Sequence, residues 1–308
     1  MTLIFLHDIL WLVKTNLNKK GQSEMKYHIE KNSVQETLII PLYGRALCTR
    51  RFPELFSDPL AEELLERIDY DFSRLERRSD SVMQVFGALE VAMRQSDLAW
   101  EVRDYLTRHP RAAVVNLGCG LDQTGRACDN GACRIYNVDL PEVIAAREQL
   151  IPIGEREQNL SANLNDLTWC DAIHANVDGA VFFAAGVFYY FQTEQVRRLC
   201  AALAERFPGG RLVFDAAGPV AVKLMLKTWI RQAAIRDVNA YFSVKDAAKE
   251  LEAWSNRIAV SSRGYMQGYQ TLRGSGIRLL HRLLARIADG PMKLQIVRMD
   301  FAQDQNEW

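Results

Sequence analysis

The stretch Ala112–Asp122, AAVVNLGCGLD, decides how the rest of the chain is read. An apolar run leads without polar alternation into a turn that carries Gly118 and Gly120. An unbroken run of this kind is how a strand buried on both faces reads. Glycines directly after it let a ligand approach the backbone without meeting a Cβ. In a doubly wound sheet that turn lies at the carboxyl end of the strand, where ligands bind.

Working outward, three further runs repeat the strand texture: RIYNVDL (134–140), GAVFFAAG (179–186) and GRLVFDA (210–216). Between them PEVIAAREQLI (141–151) and TEQVRRLCAALAERF (193–207) show helical spacing. Strands alternating with helices imply parallel crossovers, so the expected fold class is α/β, a doubly wound, mostly parallel Rossmann-like sheet. KLQIVRMDF (293–301) reads as a last strand. Upstream, residues 33–108 read as helical. Asp58-Pro59 marks a capped start, residues 81–107 carry an apolar stripe, and Pro110 ends it. The expected organisation is an extension over 1–24, an N-terminal helical segment over 25–110, and an α/β core over 111–308. A helical cap insertion at about 218–290 would cover the carboxyl ends of the strands.

Lys plus Arg number 38 and so do Asp plus Glu, which leaves no basic surplus to favour nucleic acid. The apolar segment Leu3–Val13 is interrupted by His7 and Asp8 and is too short to span a bilayer, so no membrane association is expected. Six cysteines occur without a CxxC pair. Cys128 and Cys133 have no histidine nearby, so no metal site is expected, and free thiols in a reducing cytoplasm are the natural reading.

Asp139 ends the second strand, nineteen residues after Gly120. A carboxylate there is placed to accept both hydroxyls of a ribose, the alternative being a cap for the helix that Pro141 opens. A dinucleotide fold wants a third glycine where Gln123 stands. Asp122 beside the turn would also repel a pyrophosphate, whereas a sulfonium with an amino group tolerates it. S-adenosylmethionine is therefore the expected cofactor, ahead of an NAD-dependent oxidoreductase.

VVNLGCGLD, YNVDLPEVI, LNDLTW, FFAAGVFYYF and ERFPGGRLVFDA together resemble the leucine carboxyl methyltransferase and tetracenomycin-type polyketide O-methyltransferase family over residues 33–217. The resemblance implies a class I methyltransferase fold and methyl transfer to a phenol or carboxylate of a small molecule. By position it implies that Gly118, Cys119 and Gly120 lie against the methionine part of the cofactor and that Asp139 and Leu140 lie at the ribose. Asn163 and Leu164 fall at the adenine, and Arg94 matches a clamp for the cofactor carboxylate; a solvated helix charge is the other reading of Arg94. Two positions depart from the pattern: Asn163 stands for the usual Asp, and Ala185 for a Glu that helps hold the cofactor. The arginine of the usual LDTR run is also missing, with Arg126 the nearest replacement.

A carboxylate acceptor is already ionised at neutral pH, whereas a phenol, with a pKa of about 10, benefits from a base. Tyr189, Tyr190 and Asp215 are the candidates for that task, since His109, His174 and His281 read as surface residues. One of the two tyrosines is expected in the core and the other at the pocket. Arg45 and Trp229 are expected on the acceptor side, the latter among aromatics that include Tyr241, Phe242, Trp254, Tyr265 and Tyr269. Because Ala185 and Asn163 thin the usual acidic set, a non-catalytic sensor or partner subunit is the competing class. A homodimer is left open.

Overall fold

The computed structural model describes residues 26–30, 34–174, 178–225, 227, 241–269, 272 and 276–303. A seven-stranded sheet contains β1 Ala113–Leu117, β2 Arg134–Asp139, β3 Glu157–Ser161, β4 Ala180–Ala184, β5 Arg211–Ala216, β6 Ile258–Gly264 and β7 Gln295–Phe301. Their spatial order is β3-β2-β1-β4-β5-β7-β6. The first five strands run parallel, and β7 lies antiparallel between β5 and β6. Every residue of β1, β4 and β5 is buried, as their largely apolar sequences lead one to expect, and Asn116, Arg211 and Asp215 are buried with them.

Register sets up the site. Leu117 pairs with Val138 on one side and with Ala184 on the other, so the central strands end level. Gly118, Asp139 and Ala185 therefore leave the sheet at one edge.

The helices that matter are α1 Ile39–Arg51, α2 Pro59–Arg67, α3 Val82–Arg108, α4 Pro141–Leu150, α5 Thr193–Arg206 and α6 Leu279–Asp289. Asp58 caps α2 by accepting from the Ala61 amide at 3.1 Å, and Ser81 caps α3 from the Gln84 amide at 3.2 Å. The 27 residues of α3 span about 40 Å against about 17 Å for β1, and α3 delivers the chain to the start of β1. Its first half accordingly overhangs the carboxyl edge of the sheet, where α1 packs against it.

Two strands differ from the sequence expectation. β3, EQNLS, is a polar edge strand whose side chains are half-buried or exposed, so it lacks the apolar signature. β6 falls inside the stretch expected to form a helical cap at about 218–290; it is the antiparallel edge of the sheet, half solvated, and reads weakly for the same reason. The described helices of that stretch are Pro219–Met225, Ala247–Leu251 and α6. Trp229 and residues 1–24 lie outside the described residues. His281, expected at the surface, is 2% exposed. As the third residue of α6 its ring turns back on the start of its own helix, accepting from the Arg278 amide at 3.4 Å. No helix among the described residues is long and apolar enough to cross a membrane.

Candidate active site

The turn after β1 is held in a conformation that glycine alone adopts readily, with φ of +64° at Gly118 and +48° at Gly120. A Cβ at Gly118 would stand 2.6 Å from Val187 Cγ2, so the loop after β4 closes directly on it. The carbonyls that follow are each held by a guanidinium. Arg147 of α4 donates to Gly120 O at 3.0 Å and to Asp122 O at 2.7 Å, and Arg45 of α1 donates to Leu121 O at 3.0 Å. Arg147 is buried and reaches the turn from α4, a helix with no local pattern linking it to the turn. Arg126, the nearer candidate in sequence, instead pairs with Glu157 and bonds Pro152 O, away from the turn.

The carboxylate of Asp139 is oriented by two backbone donors, Gly120 N to Oδ2 at 2.7 Å and Leu140 N to Oδ1 at 2.8 Å. Burial pushes its pKa above the ordinary carboxylate value, and these two amides and Arg147 oppose the shift. Asp122 is engaged separately, accepting from the Thr124 amide at 2.8 Å, its hydroxyl at 2.7 Å and Gln95 Nε2 at 2.9 Å. Cys119 is buried, and burial pushes its thiol up, so it is no nucleophile at neutral pH.

Arg94 is not a solvated charge. Its side chain is 12% exposed, and Nη1 donates to Asp215 Oδ2 at 3.1 Å. The second oxygen of Asp215 accepts from the Gly186 amide at 2.6 Å, which places this carboxylate under the loop rather than free to act as a base. Arg94 Nε is buried without a protein partner. One turn earlier on α3, Glu90 accepts from the Tyr265 hydroxyl at 3.4 Å. Neither Glu90 nor Gln95 carries a sequence signal, because each is a single polar residue in an otherwise ordinary amphipathic helix.

These residues border a cavity of about 600 Å³, within the range of small-molecule sites. Gly118, Cys119, Gly120, Asp139, Leu140, Asn163 and Leu164 line it, as do Arg94 and Ala185. Asn163 Oδ1 accepts from the Asn165 amide at 3.0 Å, a local turn that fixes the side chain. The lining also includes the apolar side chains of Leu38, Ile40, Pro41, Val91, Phe191 and Met225, with Leu38 Cδ2 3.0 Å from where a Cβ on Gly120 would stand. Both tyrosines of the loop after β4 reach the cavity: Tyr189 is 4% exposed and Tyr190 37%. Arg45 also lines it, but its Nε is committed to Asp58 at 2.8 Å in a buried pair. Of the aromatics expected on the acceptor side, Phe242 and Tyr265 belong to the core, and Tyr269 stacks on Trp100 at 3.5 Å.

A glycine turn after the first strand, an acid closing the second and an overhanging helical wall define a class I, nucleoside-binding methyltransferase architecture. The chain belongs to the leucine carboxyl methyltransferase family, whose model matches residues 39–204, more than half its length. It is 32% identical over 192 residues to the tetracenomycin polyketide synthesis O-methyltransferase TcmP of Streptomyces glaucescens, covering 62% of this chain and 68% of that protein. Among solved structures it is similar to a candidate methyltransferase from Thermobifida fusca YX, with a TM-score of 0.53, 13% identity, and coverage of 86% and 95% of the two chains. It also aligns with the plantazolicin methyltransferase BpumL in complex with SAH, with a TM-score of 0.49, 13% identity, and coverage of 87% and 99%. The likeness to the Thermobifida fusca structure bears on the fold.

The protein is thus an S-adenosylmethionine-dependent methyltransferase. The site fits that cofactor on its own terms. The turn presents two residues without a Cβ, Asp139 is pre-oriented by two amides, and Arg94 Nε lacks a protein acceptor at the cavity wall.

Proposed function

We propose that the protein is an O-methyltransferase of small molecules, taking a phenol or a carboxylate as acceptor. The observation that carries this reading is that one cavity is lined both by the glycine turn after β1 and by apolar side chains such as Ile40, Pro41, Val91 and Phe191. In it, Asp139 receives the ribose hydroxyls beside Leu140, and Asn163 and Leu164 border the adenine. Gly118, Cys119 and Gly120 meet the methionine chain, with the Arg94 guanidinium toward its carboxylate. Ala185 leaves open the place where many relatives carry an acid. The acceptor lies against those apolar side chains, near Tyr189 and Tyr190, and Arg45, held by Asp58, braces the wall.

When bound, S-adenosylmethionine supplies an electrophilic methyl group on a sulfonium. The protein's task is then alignment and exclusion of water rather than bond-making chemistry of its own. Tyr189 contributes as a neutral phenol, because burial pushes its pKa well above the usual value. A cytoplasmic setting belongs to this reading and is supported by six cysteines that are all free and buried.

The test is calorimetric titration with S-adenosylmethionine and S-adenosylhomocysteine, with Asp139→Ala alongside. Binding weakened at least about tenfold in the variant supports the placement. A folded wild type that binds neither ligand overturns it. Transfer of labelled methyl to panels of phenols and carboxylic acids then distinguishes the acceptor class.

A further inference from the structure

Glu90 and Arg94 lie one turn apart on α3, so they share a face of the helix, and both line the cavity. Around them stand Asp215 at the end of β5, Tyr189 after β4 and Tyr265 after β6. Burial keeps both phenols neutral. The cluster then holds two carboxylates against one guanidinium, an excess of one negative charge. Asp215 is engaged on both oxygens, by Arg94 Nη1 and by the Gly186 amide. Of the other cavity carboxylates, Asp122 is held by Thr124 and Gln95, and Asp139 by two amides. Glu90 accepts, among the described residues, only a 3.4 Å bond from the Tyr265 hydroxyl. The uncompensated carboxylate is Glu90.

We propose that Glu90 and Arg94 together clamp the zwitterionic amino-acid head of the cofactor, with Glu90 receiving its ammonium group. This rests on the placement of the methionine chain beside Arg94 given above. A zwitterion carries its two charges on groups attached to one carbon, and α3 offers the complementary pair on neighbouring side chains. Arg94 Nε, buried without a protein partner, is the donor left for the carboxylate. The loop after β4 brings no charge of its own, since Ala185 adds only a methyl group to the lining. The counter-charge for the ammonium comes from α3 instead.

The electrostatics agree with this role. Burial pushes Glu90 up to about 6, with Arg94 opposing and Asp215 reinforcing the shift. The carboxylate is therefore ionised at pH 7.5 but partly protonated near pH 6. An ammonium beside it favours the ionised form and draws the pKa down. Binding of the head near pH 6 must then expel a proton from Glu90. S-adenosylhomocysteine carries the ammonium without the sulfonium, so it separates this contact from any attraction of Glu90 for the sulfur centre.

The experiment titrates the full chain calorimetrically with three probes. They are S-adenosylhomocysteine, its analogue with hydrogen in place of the amino group, and 5′-methylthioadenosine, which lacks the whole head. At about pH 7.5 the wild type should bind S-adenosylhomocysteine at least about tenfold more tightly than the deaminated analogue. In Glu90→Gln that ratio should fall below about threefold, while the analogue and 5′-methylthioadenosine bind no more weakly than to wild type, which shows the variant folded. A second readout needs no variant. At about pH 6, in buffers of different ionisation heat, wild type should release a proton on binding S-adenosylhomocysteine but not on binding the deaminated analogue. The same amino-group preference in both proteins, or equal proton release with both ligands, overturns the clamp. A wild type indifferent to the amino group, yet preferring S-adenosylhomocysteine to 5′-methylthioadenosine, overturns the clamp and leaves the placement of the methionine chain standing. Equal binding of all three probes overturns the placement and the clamp together.

Discussion

Arg94 and Asp215 lie 121 residues apart in the chain and meet at 3.1 Å, locking α3 onto the end of β5 beside the cavity. Asp215 is 1% exposed, so removing the guanidinium leaves a buried charge without its partner. Arg94→Ala should lower unfolding stability by about 3–5 kcal/mol in denaturant titrations. Arg94→Lys should recover part of that loss, yet still weaken cofactor binding in calorimetry, because an ammonium cannot replace the planar fork.

Gly118 separates two penalties that usually come together. Alanine there meets both a φ of +64° and Val187 at 2.6 Å, whereas Gly131 has a φ of +83° with nothing within 4 Å. Gly131→Ala should cost about 1–2 kcal/mol from backbone conformation alone. Gly118→Ala should cost more than that and also abolish S-adenosylhomocysteine binding, as thermal unfolding with and without ligand would reveal.

Asn163→Asp places an acid where the family resemblance implies one. The carboxylate can keep the bond from the Asn165 amide and offer a charged acceptor to the adenine amino group. Affinity for S-adenosylmethionine should rise by about three- to tenfold. An unchanged or lower affinity would place the adenine elsewhere.

Glu90 also predicts a stability profile. Its folded pKa is raised from 4.5 to about 6, so the fold prefers the protonated form. The stabilisation is complete below the ordinary carboxylate value and is lost as pH rises through about 6. Glu90→Gln, free of that loss, should be more stable than wild type by roughly 2 kcal/mol above pH 7. The difference should shrink toward zero near pH 4, measured by denaturant unfolding across the range.

How much of this was legible in sequence depended on how far each element speaks for itself. β1, β2, β4 and β5 announce themselves because strands covered on both faces are mostly apolar, and Asp58-Pro59 carries its cap in two adjacent residues. β3 and β6 stayed hidden because edge strands share their side chains with water. The same division runs through the site. Gly118, Gly120 and Asp139 sit in local patterns with fixed spacing, so they could be named. Arg147 on α4 and Gln95 and Glu90 on α3 reach the cavity by tertiary packing, and no local pattern in the sequence ties them to it. Arg45 lay between these cases: its presence at the cavity was expected, but not its buried bond to the cap residue Asp58.

The placement of β7 has a consequence for how the chain is made. β5 and β6 are not neighbours, since the much later strand Gln295–Phe301 wedges between them. During synthesis the ribosome releases β1 to β5, and with them Arg94, Asp139 and Asp215, while one edge of the sheet still lacks its partner. The nascent protein can therefore present its glycine turn long before its sheet is closed. Through that interval an unpaired β5 edge is open to mispairing with other chains.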